Sequence, residues 1–224
     1  MEATPHIMSR YDKDLRKLER RILEMGRQVR DQLSEATEAL ENFDAGDVER
    51  LVAFDRTING LYQDIYSRSE RLIALRQPMA LDLRQVLLPI NIAHELERIG
   101  DHAKSTAKRA GQLAQSDTGG PARAVLQDMS EKLQEMLNDV LRAYENGDIE
   151  LAAEIRDRDR EIDQMNKAIF EMQVETISGS HKDGEVQFHL VLLARGFERV
   201  GDHIVNIARH VHQIVTGIDL KAAD

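Results

Sequence analysis

The chain has 224 residues, 42% of them hydrophobic, 31% charged and 4% aromatic, with a formal net charge of −10 at pH 7. It holds no cysteine, which removes disulfides, thiolate metal sites and cysteine nucleophiles and fits a reducing cytoplasm. The acidic balance argues against nucleic acid as a partner, because a phosphate backbone is held by clustered cations.

Residues Met1 to Arg10 lack the basic-then-apolar pattern of a secretory signal. No apolar run approaches the ~18–20 residues of a membrane span, so a soluble, cytoplasmic protein without membrane insertion is expected. From Tyr11 onward, Leu15, Leu18, Ile22, Met25, Val29, Leu33, Ala36 and Leu40 recur in steps of three and four. That spacing puts them on one face of a long first helix. Gly46 is expected to break it, with Asp47 as N-cap of a second helix running to about Arg76. Gln77-Pro78 ends the second helix, and Pro78 suits the start of a third. The third helix uses Leu83, Val86, Leu87, Ile90, Leu96, Ile99 and Ala103, and Pro89 inside it removes one backbone bond and should kink it.

Residues 115–121 are polar and contain glycine and proline, which reads as a linker between bundles spanning 1–117 and 118–224. Past Pro121 the pattern restarts with Val125, Met129, Leu133, Met136 and Val140, and Gly147-Asp148 repeats the break at Gly46-Asp47. A fifth helix reaches about Ile177, residues 178–184 read as a loop, and a sixth helix runs from about Glu185 to Val215. Met25, Met129, Met136 and Met172 read as core fillers.

The hexapeptide Glu97-Arg98-Ile99-Gly100-Asp101-His102 returns 101 residues later as Glu198-Arg199-Val200-Gly201-Asp202-His203. Asp55-Arg56-Thr57-Ile58-Asn59 returns as Asp159-Arg160-Glu161-Ile162-Asp163 at an offset of 104. A difference of three residues is close to one helical turn, so the motif keeps its face. The chain therefore reads as all-α, two tandem three-helix bundles related by internal duplication.

Residues four apart stack on one helix face, so Glu97 with Asp101, Glu198 with Asp202, and Asp159 with Asp163 each present two neighbouring carboxylates. Like charges at that spacing cost a helix roughly 0.2–0.5 kcal/mol per pair. A cation or basic side chains must compensate. If the facing helices meet, oxygen donors converge as a site for Mg²⁺, Mn²⁺, Ca²⁺ or iron, with zinc if a histidine joins. Asp159, Asp163, Glu198 and Asp202 form the fuller set, with Asn206 one turn on. Asp55, Glu97 and Asp101 form the poorer one, where Asn59 replaces a carboxylate and Ser105 stands in place of Asn206. The competing reading is a network of interhelical ion pairs through Arg84, Arg98, Arg195 or Arg199. Gly100 and Gly201 read as points of close helix approach. His102 and His203 point away from the aspartates, as solvent-facing or interhelical hydrogen-bonding residues. His94 lies one turn before Glu97 on its face, but Arg195 takes that place in the second half.

Catalytic patterns fail their tests. Gly196 to Gly201 has P-loop glycine spacing but lies within a helix and continues as Asp202-His203. None of the eight histidines has Glu three residues before it, which removes the di-iron Glu-x-x-His pattern. A purely structural coiled coil is disfavoured by the interruptions at Gly46, Pro78, Gly147 and Gly184.

The segments Arg76-Gln77-Pro78-Met79-Ala80-Leu81-Asp82-Leu83-Arg84, Leu96 to His102, Phe197 to His203 and Asn206-Ile207-Ala208 give the chain, along essentially its whole length, a resemblance to the PhoU family. The resemblance implies two tandem three-helix bundles and restraint of the phosphate-starvation response, together with modulation of phosphate uptake. It also implies a non-enzymatic adaptor between the ATPase subunit of a phosphate ABC transporter and a membrane histidine kinase. A homodimer is the expected assembly. Some family members bind metal through Glu/Asp-x-x-x-Asp motifs; here that implies Mg, Mn, Zn or Fe at Asp159, Asp163, Glu198 and Asp202, then at Asp55, Glu97 and Asp101. The alternative is a metal-storage or metal-dependent hydrolase bundle using the same carboxylates.

Overall fold

The computed structural model describes residues 5–41, 45–113, 120–179 and 184–219. They form six helices: α1 (Pro5–Glu41), α2 (Ala45–Arg76), α3 (Leu81–Leu113), α4 (Pro121–Asn146), α5 (Ile149–Gly179) and α6 (Gly184–Thr216). Among the described residues there is no strand. Helices α1–α3 pack as one bundle and α4–α6 as the other, joined through α1 against α4 and α3 against α6.

The expected apolar stripe of α1 is its core face, with Leu18, Ile22, Met25, Val29, Leu33 and Ala36 fully buried. Each large aliphatic side chain buried this way stabilises the fold by about 1.5–3 kcal/mol. Buried residues of all six helices form one continuous core rather than two. Three contacts set the α1–α4 register: Gly26 against Leu141, Arg30 to Asn138 and Thr37 to Ser130. Position numbers rise along α1 as they fall along α4, so these helices are antiparallel. At Gly26 an added Cβ would lie 2.5 Å from Leu141 Cδ2. Arg84 at the start of α3 meets Gly217 just past the end of α6, so that pair is antiparallel too. The two bundles therefore relate by an approximate two-fold axis across the helices.

Several boundaries depart from the sequence expectation. Helix α1 starts before Tyr11, and Gly46 and Asp47 lie within the first turn of α2 rather than ahead of it. There the glycine costs little because first-turn amides have no intrahelical partner anyway, and a buried aspartate suits the positive helix end. The second copy behaves as expected: Gly147 closes α4 at φ 65°, donating its N–H to Ala143 O, and Asp148 Oδ1 accepts from Glu150 N and Leu151 N at 3.1 and 3.0 Å. Ser178 and Gly179 extend α5, with Ser178 Oγ donating to Val174 O at 2.8 Å, and Gly184 opens α6. Residues 180–183 and the 117/118 bundle boundary lie outside the described residues, as does most of the 115–121 linker.

Helix α3 continues through buried Pro89, and Leu87, expected inside, is 43% exposed. Leu88 is buried in its stead. The α2–α3 corner turns through Gln77 and Ala80, both non-glycine residues in the left-handed region at φ 46° and 50°.

Candidate cation clusters and the cleft between the bundles

Both copies of the hexapeptide sit mid-helix, on α3 and α6. Each turns its carboxylates toward the second helix of its own bundle and its histidine toward the other bundle. The rings of His102 and His203 lie 5.6 Å apart across the α3–α6 contact. His203 Nδ1 lies 2.6 Å from Glu95 Oε2, and Asn206 Nδ2 donates to the same oxygen at 3.4 Å. Burial opposes the charge on Glu95, but these bonds outweigh it and hold its carboxyl below the ordinary value. Burial, then the neighbouring cations of the cleft, push His102 down to about 4. Of the two roles expected for these histidines, His203 takes the interhelical hydrogen-bonding one, while His102 packs against its ring across the same contact.

In the second bundle α5 brings Asp159 and Asp163 against Glu198 and Asp202 of α6. Gly201 makes this approach possible: a Cβ there would collide with Asp159 Oδ1. Asp159 Oδ1 and Glu198 Oε2 are buried without a hydrogen-bond partner. Glu198 Oε1 is held by Arg195 Nη1 at 2.7 Å, while Asp159, Asp163 and Asp202 have no ion-pair partner among the described residues. Burial and then the charges of Asp163, Asp202 and Glu198 push Asp159 up to about 7. Burial followed by Asp202 raises Glu198, and burial followed by Asp163 raises Asp202.

The first bundle brings Asp55 of α2 beside Asp101 of α3, with a cation already between them. Lys104 Nζ lies 2.9 Å from Asp55 Oδ1 and 2.9 Å from Asp101 Oδ1. Asn59 Nδ2 donates to Asp55 Oδ2 at 3.4 Å, and Arg98 pairs with Asp101 at 3.3 Å. Burial works against the ammonium charge, but its hydrogen bonds to Asp101 and Asp55 prevail and raise Lys104. Glu97 is raised by burial and then by Asp101. The ion-pair reading thus describes the first bundle, where Lys104 makes the interhelical contact and Arg98, one of the arginines considered, pairs with Asp101 within α3. Lys104 carried a legible signal: it stands three residues after Asp101, where the repeat places Val205 after Asp202.

Among the described residues, no three of the histidine, aspartate and glutamate side chains stand as a finished ligand set. The second cluster holds its donors on two facing helices, α5 and α6. Its orphaned oxygens, brought close by the approach Gly201 allows, fit a hard cation; the first cluster, with its ammonium in place, does not. Asp159, Asp163 and Asp202 also line a cleft of about 1140 Å³ between the bundles, together with Arg156 of α5, Arg199 of α6, and Arg98 and His102 of α3. Sequence periodicity did not point to this cleft, because it arises from how the two halves pack.

The PhoU domain family model matches the chain twice, over residues 22–110 and 126–211. A Caulobacter vibrioides protein described as a phosphate-specific transport system accessory protein PhoU homolog is 34% identical over 219 residues, covering 98% of this chain and 95% of that protein. A Rhizobium meliloti protein of the same description is 34% identical over 212 residues, covering 95% of this chain and 90% of its own. The crystal structure of PhoU from Pseudomonas aeruginosa superposes with a TM-score of 0.88 at 28% identity, covering 93% of this chain and all of that one. That of the phosphate transport system regulatory protein PhoU from Streptococcus pneumoniae gives 0.88 at 27% identity, covering 94% and 99%.

Proposed function

On the premise that this chain belongs to the PhoU family, we propose that it is an accessory protein of a phosphate-specific transport system that restrains the phosphate-starvation response and phosphate uptake. In this reading it is a non-enzymatic adaptor, contacting the transporter's ATPase subunit and a membrane histidine kinase from the cytoplasmic side. No helix among the described residues is long and apolar enough to cross a membrane, which is compatible with that placement.

The observation that carries the adaptor reading is a pair of apolar corners. Leu75, Met79, Leu81 and Leu87 are exposed where α2 turns into α3, and Phe170, Val174, Ile177 and Phe188 where α5 turns into α6. Leu87 and Phe188 are repeat equivalents, 101 residues apart. Exposed apolar groups gathered in one place mark surfaces that other proteins cover. The approximate two-fold axis puts the corners at opposite ends of the molecule, roughly 50 Å apart by the length of a 33-residue helix. That separation suits one partner at each end.

The test is capture of purified ATPase subunit and kinase cytoplasmic domain by the immobilised protein, with Leu87→Asp and Phe188→Asp as the variants. Each charge should abolish one contact and spare the other. Retention of neither partner by the unaltered protein overturns the adaptor reading.

A metal is a separate part of the proposal. Asp159, Asp163, Glu198 and Asp202 would hold Mg, Mn, Zn or Fe, and the ion would supply charge neutralisation that ties α5 to α6. Asp159 supplies the buried oxygen, Asp163 and Asp202 close the exposed mouth, and Arg195 steadies Glu198.

A further inference from the structure

The two bundles are copies of one design, yet their acidic clusters differ in where positive charge comes from. In the first, the Lys104 ammonium occupies the space between Asp55 and Asp101, at 2.9 Å from an oxygen of each. Lys104 is only 24% exposed and Asp55 14%, so the pair is an inner contact rather than a mobile surface one. In the second, the equivalent of Lys104 is Val205, which lines the same cleft as Asp159 and Asp202 and brings no charge. Asp159 Oδ1 is correspondingly buried without a partner, whereas Asp55 Oδ1 is matched. The difference at Asn59 removes one donor from the first cluster; the difference at Lys104 inserts a competitor into it.

We propose that Lys104 is a resident cation that takes the metal's place in the first bundle, so that each chain offers one exchangeable metal position, in the second bundle. This inference rests on the reading that the second cluster takes a metal. The physical basis is exclusion: a divalent ion bound to Asp55 and Asp101 would have to share their facing oxygens with the ammonium. Two cations at such separation repel, and displacing Lys104 would strip a half-buried charge of both its partners. A duplicated site has thus been split into a permanently closed copy and one left open to exchange.

The experiment exchanges the two residues in the full chain, Lys104→Val and Val205→Lys, with Mn²⁺ as the probe after chelator treatment. Bound Mn²⁺ is counted by elemental analysis, and melting of the metal-free proteins is followed by circular dichroism. The unaltered chain should hold one Mn²⁺, Lys104→Val two and Val205→Lys none. Metal-free Val205→Lys should melt above the metal-free parent, because its new ammonium neutralises Asp159 and Asp202. Metal-free Lys104→Val should melt below it and recover on adding Mn²⁺.

If Lys104→Val stays at one Mn²⁺, the assignment of Lys104 fails while the second-bundle site stands. If the parent binds none and Lys104→Val binds one, Lys104 is confirmed as the excluder and the second-bundle site falls. If neither chain binds Mn²⁺, both ideas are overturned. Should Lys104→Val lose helicity, Lys104→Gln, which removes the charge but keeps a polar side chain, replaces it.

Discussion

Replacing Asp159 by asparagine should stabilise the metal-free protein above neutral pH, although it removes a charged residue from a polar cleft. The carboxyl is pushed up to about 7 in the fold from an ordinary 3.8, by burial first and by Asp163, Asp202 and Glu198 next. Over that interval the folded state binds the extra proton, so stability is lost as pH rises from about 4 to about 7 and stays low above. The full difference between the two protonation states corresponds to about 4 kcal/mol. The side chain is only half-buried and solvent in the cleft screens its neighbours, which cuts the usable part to ~1–2 kcal/mol. Asparagine has nearly the same shape and keeps an oxygen or amide beside Gly201, so little packing is lost. The assay is urea unfolding of chelator-treated protein at pH 5 and at pH 8. Asp159→Asn should exceed the parent by more at pH 8 than at pH 5, where only part of the loss has occurred. Equal stability at both values would refute the claim that these carboxylates repel one another in the folded state.

Three further outcomes follow from the geometry. His102 is pushed down to about 4 from 6.5, so the unfolded state binds the extra proton between those values and stability falls as pH drops through them. His102→Gln should flatten that acid slope by roughly 1 kcal/mol after screening, read from melting temperatures between pH 7 and 4.5. Ala80 sits at φ 50°, a region costing an L-residue roughly 1–2 kcal/mol, so Ala80→Gly should gain about 0.5–1 kcal/mol in urea unfolding. Gly26→Ala places a methyl against Leu141 and should lose roughly 1–3 kcal/mol despite better helix propensity, with a double-mutant cycle to Leu141→Ala showing coupling above ~0.5 kcal/mol.

The helices were legible because their buried stripes repeat every three to four residues, and Leu18 to Ala36 lie on the face that spacing dictates. Duplication was legible because the two hexapeptides are nearly identical. Less visible were the ends: Gly46-Asp47 and Gly147-Asp148 look alike, yet only the second pair performs the break, since a glycine is tolerated equally in a first turn and past a last one. Leu87 and Leu88 are adjacent leucines of opposite exposure, decided by how α3 sits against its neighbours. Facing carboxylates on α2 with α3 and on α5 with α6 were foreseeable from spacing, whereas Lys104 required comparing the two copies position by position beyond the motif itself. The Glu95–His203 bond belongs to packing between halves and carries no local pattern.

The antiparallel junction with its single core has a mechanical consequence. A chain of two bundles on a flexible joint would let one half move without informing the other. Here α1 lies on α4 and α3 on α6 with buried side chains continuous across both seams, so the pair behaves as one stiff beam. Packing of that kind would pass a displacement of the α2–α3 corner on to the α5–α6 corner as a lever arm does. Whatever alters the tie between α5 and α6 changes the set of that lever at one end only.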